Sequence, residues 1–147
     1  SGSTTLAERM RITTSGLVGI NTTAPNTSID VNGDLAMRRA TIAVASGLNN
    51  DLAIGARSTI RLTGAVFSTL TGFANGFDGK VLYVHYDGTQ QMVIGNENAN
   101  SIAANRIRTL TGGDITYTGP AAFTFQYDSA VLRWILFGAR DSTSISP

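Results

Sequence analysis

The chain has 147 residues with eleven basic and ten acidic side chains, a formal net charge of +1, and only 14% charged residues. Charges of both signs are interspersed, so no basic stripe exists to neutralise several phosphates, which argues against nucleic acid as a partner. No apolar run approaches the roughly 20 residues of a membrane-spanning helix, so no membrane insertion is expected, and the lack of cysteine excludes disulfides, thiolate nucleophiles and zinc–sulfur centres.

The polar residues point to strands. Thr, Ser, Asn and Gly make up 57 of the 147 residues, and there is a single Lys. Helical proteins draw on Glu and Lys for their solvent faces, whereas Thr, Val, Ile and aromatics in short runs cut by Gly and Asn suit strands and tight turns. The leading Ser1-Gly2-Ser3 looks like a cloning remnant, assigned to residues 1–4, on a piece taken from the end of a longer protein.

Residues 5–37 hold three short strand candidates. Met10 and Ile12 alternate with Arg9 and Arg11, a period of two. Gly16 breaks the run, Leu17 to Ile20 resume it, and Pro25, which cannot donate to a ladder, ends it. Ile29 and Val31 alternate next. Asn32-Gly33 then predicts a type I′ hairpin, with Leu35 and Met37 on the returning strand. The segment has too few apolar residues for a core of its own, and isolated hairpins are marginal in water. Val18, Ile20, Ile29, Val31 and Leu35 therefore need a partner surface, which three copies around a threefold axis would supply.

These residues also carry a resemblance. Gly16, Val18, Gly19, Ile20, Thr22 and Pro25, with the phrase from Ile29 to Asp34, resemble the repeated shaft unit of trimeric fibre proteins. Such units occur in bacteriophage tail and head fibres and in the chimeric trimeric adhesins of bacteria. The resemblance implies a homotrimeric, intertwined shaft unit over residues 5–40, extracellular on a virion or a bacterial cell surface. It also implies a tip, further along the chain, that touches a target cell.

From Ala40 to Arg140 strand candidates recur at spacings near ten residues, covering 42–44, 51–54, 59–67, 80–86, 91–94, 107–110, 114–117, 123–127 and 133–137. Asp87-Gly88 between apolar runs predicts a hairpin. Ala103 and Ala104 allow at most one helical turn among flanking Asn residues. Many short strands with regular turns predict an all-β tip over 41–141, an antiparallel β-sandwich of jelly-roll type, with a flexible tail at 142–147. Trp134, inside the apolar run from Arg133 to Phe137, is expected in the core. The stretches Phe77 to Leu82, Ala104 to Ile107, Gly113-Asp114, Phe125 to Asp128 and Arg133-Trp134 resemble a module of phage fibre tips, consistent with that sandwich.

Catalytic signatures fail on spacing. Asp30 to Asp34 starts like a calcium loop, but Leu35 and Thr41 stand where an EF-hand needs Gly and Glu. His85, the one histidine, has no acid or thiol at triad or ligand spacing, so a surface or trimer-interface imidazole is expected. Most acids sit in turns, where Asp caps its own backbone. No catalytic residue, metal site or cofactor is therefore assigned.

Ligand-binding candidates are polar residues in loops. Tyr86, Asp87, Gln90 and Gln91 flank one tight turn, and Asn96, Glu97, Asn98 and Asn100 fill an Asn-rich loop. An aromatic face with planar polar groups is the chemistry that holds sugars. The expected function is non-enzymatic attachment: the tip of a homotrimeric fibre that binds a target-cell glycan or another surface receptor. A purely structural trimerisation cap and a polysaccharide-trimming enzyme are the alternatives.

Overall fold

The computed structural model describes residues 8–141; the expected remnant at 1–4 and tail at 142–147 lie outside them. The chain divides into two compact units, Ser1–Ala36 and Met37–Pro147.

The first unit is a three-stranded sheet of β1 (Met10–Ile12), β2 (Val18–Ile20) and β3 (Ile29–Val31). β1 runs antiparallel to β2, placing Met10 opposite Ile20 and Ile12 opposite Val18. β3 runs parallel to β2, placing Ile29 opposite Val18 and Val31 opposite Ile20. Residues opposite one another share a face, so all six apolar side chains line one side. Gly19 lies on the other side, where an added Cβ would sit 2.6 Å from Thr22 O and 3.5 Å from the Pro25 ring. The loop after β2 therefore covers that face closely, and Arg11 fastens it by donating from Nη1 to Thr23 O at 2.6 Å.

The hairpin expected at Asn32-Gly33 does not form. Asn32 continues the parallel pairing, donating its N–H to Ile20 O at 2.9 Å and its amide to Asn21 O at 3.3 Å. Its backbone is thus tied to β2 and unavailable for a reversal. Leu35 and Met37 lie outside any strand.

The second unit holds β4 (Ala40–Ala43), β5 (Gly47–Asn49), β6 (Thr59–Thr63), β7 (Ser68–Leu70), β8 (Val81–Tyr86), β9 (Gln91–Ile94), β10 (Ile107–Arg108), β11 (Ile115–Thr118), β12 (Ala121–Asp128) and β13 (Arg133–Asp141). They form a six-stranded sheet, β10-β13-β12-β8-β6-β4, and a four-stranded sheet, β11-β9-β7-β5. The fold is all-β, as expected, but its first half is not antiparallel. β4, β6 and β8 stack in parallel, as do β5, β7 and β9. Each successive strand crosses to the other sheet, so the chain winds three turns around one core in the manner of a short β-solenoid. Parallel neighbours need a long crossover, and here the crossover is the strand opposite. Antiparallel pairing returns where β11 joins β9 and where β12 joins β8 and β13.

The hairpin expected at Asp87-Gly88 is accordingly a corner between sheets. The Tyr86 ring lies across Gly88, where a Cβ would approach it to 2.1 Å. Only glycine lets the chain turn around the core edge so tightly. The single strand expected over 59–67 breaks for the same reason: Gly64, at φ +150°, begins the corner that leads to β7. The helical turn expected around Ala103 and Ala104 is a 3₁₀ segment, Ala103–Asn105.

Inward residues of both sheets join one apolar cluster, including Ile60, Leu62, Leu82, Val84 and Phe125 from one sheet and Leu70, Met92 and Ile94 from the other. A buried polar group fixes how the turns stack. Thr71 Oγ1 lies 3.1 Å from Asn49 O, 2.8 Å from Asn50 Oδ1 and 2.8 Å from Ser101 Oγ. Ser101 Oγ accepts from Asp51 N at 3.1 Å, and the Asp51 carboxylate accepts from Ile102 N at 3.1 Å and Asn105 Nδ2 at 2.9 Å.

Trp134 is fully buried. Its ring meets Phe73 edge-on at 5.6 Å and Tyr127 at 5.3 Å, and its Nε1 donates to Phe73 O at 2.9 Å. Trp134→Ala is expected to destabilise the second unit by about 3–5 kcal/mol, the usual cost of truncating a buried large aromatic, measured by urea denaturation.

Candidate functional site

The two loops proposed for ligand contact lie at opposite ends of β9. Tyr86 is fully buried and its hydroxyl donates to Gln90 O at 3.1 Å, so its ring is closed to any ligand. Asp87 pairs with Arg61. Gln90 and Gln91 are exposed at the corner.

In the Asn-rich loop the polar groups hold the loop itself. Asn96 accepts from Thr109 N at 2.9 Å through Oδ1 and donates to Gly112 O at 3.0 Å. Asn98 Oδ1 accepts from Asn100 N at 3.0 Å and from its amide at 2.9 Å. Glu97 takes a left-handed φ of +48° and bridges two strands, accepting from Arg108 Nε at 2.8 Å and Arg133 Nε at 2.5 Å. Burial pushes the Glu97 carboxyl up, but those hydrogen bonds and the two positive charges outweigh it, and its pKa ends below the ordinary value.

A different set of residues forms a cleft at the end of the six-stranded sheet. β12 and β13 slip register between Thr124 and Phe125, whose partners are Gly138 and Leu136. Phe137 is the extra residue of this β-bulge, and such bulges re-aim a side chain. Phe137 is 58% exposed and faces outward with Ile135, since Trp134 and Leu136 alternate inward on β13. Phe137, Ile135, Gln126, Asp78, Asp128 and Gly79 line a cleft of about 220 Å³.

The acids in this cleft are preset by local hydrogen bonds. Asp78 Oδ1 accepts from Ser129 N at 3.0 Å and from Ser129 Oγ at 2.9 Å. The backbone bond first, and then the hydroxyl bond, hold its pKa below the ordinary value. Asp128 Oδ1 accepts from Ala130 N at 2.8 Å. Each carboxylate is held through its Oδ1 at the edge of the cleft. Nothing lies within 4 Å of the position a Gly79 Cβ would take, so a ligand can approach the backbone there. An exposed ring, fixed carboxylates and one planar amide match what a sugar presents: hydroxyl donors around an apolar ring face.

Sequence reasoning missed this cleft because turn chemistry accounts for Asp78 and Asp128 without reference to any ligand. It also treated Phe137 as part of a central strand. The Gly138 that follows was the available signal, since glycine within a strand often marks a bulge. On the first unit it named Val18, Ile20, Ile29 and Val31 for the shared surface, and the pairing adds Met10 and Ile12 to the same face. Leu35 is 78% exposed but lies beyond the sheet. His85 is exposed on the outer face of β8, opposite Ala122 and Arg61.

Comparison with protein-family models, with curated proteins and with solved structures finds no significant match to this chain.

Because the folded-state pKa of Glu97 is lowered, its stabilisation is fully present above the ordinary carboxylate pKa and is lost as pH falls through the folded value. Glu97→Gln is expected to cost about 1–2 kcal/mol near neutral pH, the range for charge-assisted bonds at a partly screened site. The gap between variant and parent should narrow as pH falls below the ordinary carboxylate range and through the lowered folded value; urea denaturation at neutral pH and along a series of acidic pH values checks this.

Proposed function

We propose that the chain is the end of a homotrimeric fibre whose tip attaches to a target-cell surface by binding glycans without catalysis. The observation that carries this reading is the one-sided sheet of the first unit. Met10, Ile12 and Ile29 on its apolar face are 64%, 70% and 69% exposed in a single chain, and the opposite face is already covered by its own loop. An apolar face left open in this way is what subunit contact buries, and three copies around an axis would shelter all three faces equally. The likeness of this segment to fibre shaft units supports the same assembly and an extracellular setting on a virion or bacterial surface.

Glycan recognition is supported by the Phe137 cleft, where a rigid sheet end presents an aromatic ring beside fixed acceptors. Threefold repetition suits weak sites, since linking them raises avidity by about 10²–10⁴ with no new contact. A structural cap is the second reading, favoured by Asn96, Glu97 and Asn98, whose polar groups are spent on partners within the chain.

Light scattering is expected to give a mass about three times the 15.4 kDa of one chain. Ile12→Asp with Ile29→Asp should yield folded monomers, because both positions are exposed within the chain. A wild-type monomer, or a double variant that keeps the assembled mass, defeats the trimer. On bacterial polysaccharide, the monomeric variant should bind about 10²–10⁴-fold more weakly than the parent.

Phe137→Ala should change stability by no more than about 0.5 kcal/mol, as for an exposed position, while reducing saccharide binding. Unchanged binding by that variant would remove the Phe137 cleft from the reading, and a parent that binds no saccharide would favour the cap.

A further inference from the structure

Lys80, the only lysine of the chain, is 5% exposed and buried at the start of β8's turn. Its Nζ donates to Gly55 O at 3.2 Å and Asn75 O at 3.1 Å. It also lies 5.4 Å from the centre of the Phe77 ring and 5.9 Å from that of Trp134. Among the described residues no carboxylate pairs with it, and burial lowers its pKa. An ammonium has three N–H donors, and the two carbonyls use two of them. A buried cation without a counter-charge is costly, and an anion would relieve that cost.

The surroundings leave room for one. Lys80, Asn75, Phe77, Gly55 and Ala56 line a cleft of about 310 Å³, at the low end of the range for small-molecule pockets of about 300–1,000 Å³. Phe77 stands 63% exposed, and Asn75 is exposed with a left-handed φ of +62°. The turn from Asn75 to Lys80 thus borders two clefts: Asp78 and Gly79 line the Phe137 cleft, while Phe77 and Lys80 line this one.

We infer that the Lys80 cleft is an anion site that takes the carboxylate of an acidic sugar, with the sugar ring against Phe77. The third Lys80 N–H meets the carboxylate, and the Asn75 amide is placed to bond a ring hydroxyl. The choice of a sugar rests on the attachment reading above; the anion site rests on Lys80 alone.

Trp134, the single tryptophan, reports on Lys80 directly through its fluorescence. Titration of the whole chain with sodium glucuronate is expected to change that signal saturably, while glucose has no effect. Lys80→Met should weaken glucuronate binding by about tenfold or more, through loss of a charge-assisted bond. Phe77→Ala, at an exposed position that leaves the fold intact, should weaken glucuronate by about fivefold and leave acetate unchanged.

Acetate and inorganic phosphate binding as tightly as glucuronate would overturn the sugar assignment and support the anion site. No saturable response to any of the three anions would overturn the site. Binding of neutral saccharides by the trimer without a glucuronate response would sink the acidic-sugar pocket and leave the attachment reading intact. Glucuronate bound at Lys80 by a chain that binds no bacterial polysaccharide supports the site while the attachment reading falls.

Discussion

The second unit depends on holding three turns of chain in a single register, and the buried Thr71 hydroxyl sits where that register is decided. It meets oxygens from the first turn, at Asn49 and Asn50, and from the segment after the third, at Ser101. A one-residue slip in any parallel ladder would send a whole set of apolar side chains to the solvent face and would also leave this polar group buried without partners. Apolar burial alone tolerates some sliding; a hydrogen-bonded cluster of this kind does not. Gly72 adds a steric lock beside it, since a Cβ there would lie 2.4 Å from Asn105 O.

Strand content was legible from the sequence, and strand partnership was not. Leu82, Val84 and Tyr86 alternate inward on β8, and Met92 and Ile94 do so on β9. A hairpin and an arch between two sheets both satisfy that alternation, because the pattern states which side chains are buried and not which sheet they face. Asp-Gly favours a reversal in either case. β7 escaped notice because Ser68 and Thr69 leave it one apolar residue, Leu70, and the strand exists by virtue of its neighbours β5 and β9. Trp134 was correctly placed in the core, since a large aromatic amid apolar residues has few other homes.

The candidate sites were harder to see. Asn96 and Glu97 look like part of a ligand-facing loop in sequence, yet their partners lie 11 to 36 residues away at Thr109, Arg108 and Arg133, beyond any local pattern. Phe137 faces outward by the same alternation that buries Trp134 and Leu136, but its place beside Asp78 and Gln126 joins segments far apart in the chain. Lys80 is unusual for the lack of a counter-ion, which requires knowing every neighbour in three dimensions. Polar residues that attract attention in one dimension can be occupied in three, and the reverse holds for the bulge and the lysine.

The spacing between stacked positions is unequal. Ala40 to Ile60 is twenty residues, whereas Ile60 to Val84 is twenty-four, and Gly47 to Ser68 and Ser68 to Met92 differ similarly. The ladders keep step while the corners absorb the surplus, and lengthening a loop costs little entropy. A scaffold of this kind can diversify under selection by growing or trimming its bends, because variation there leaves the wound interior untouched.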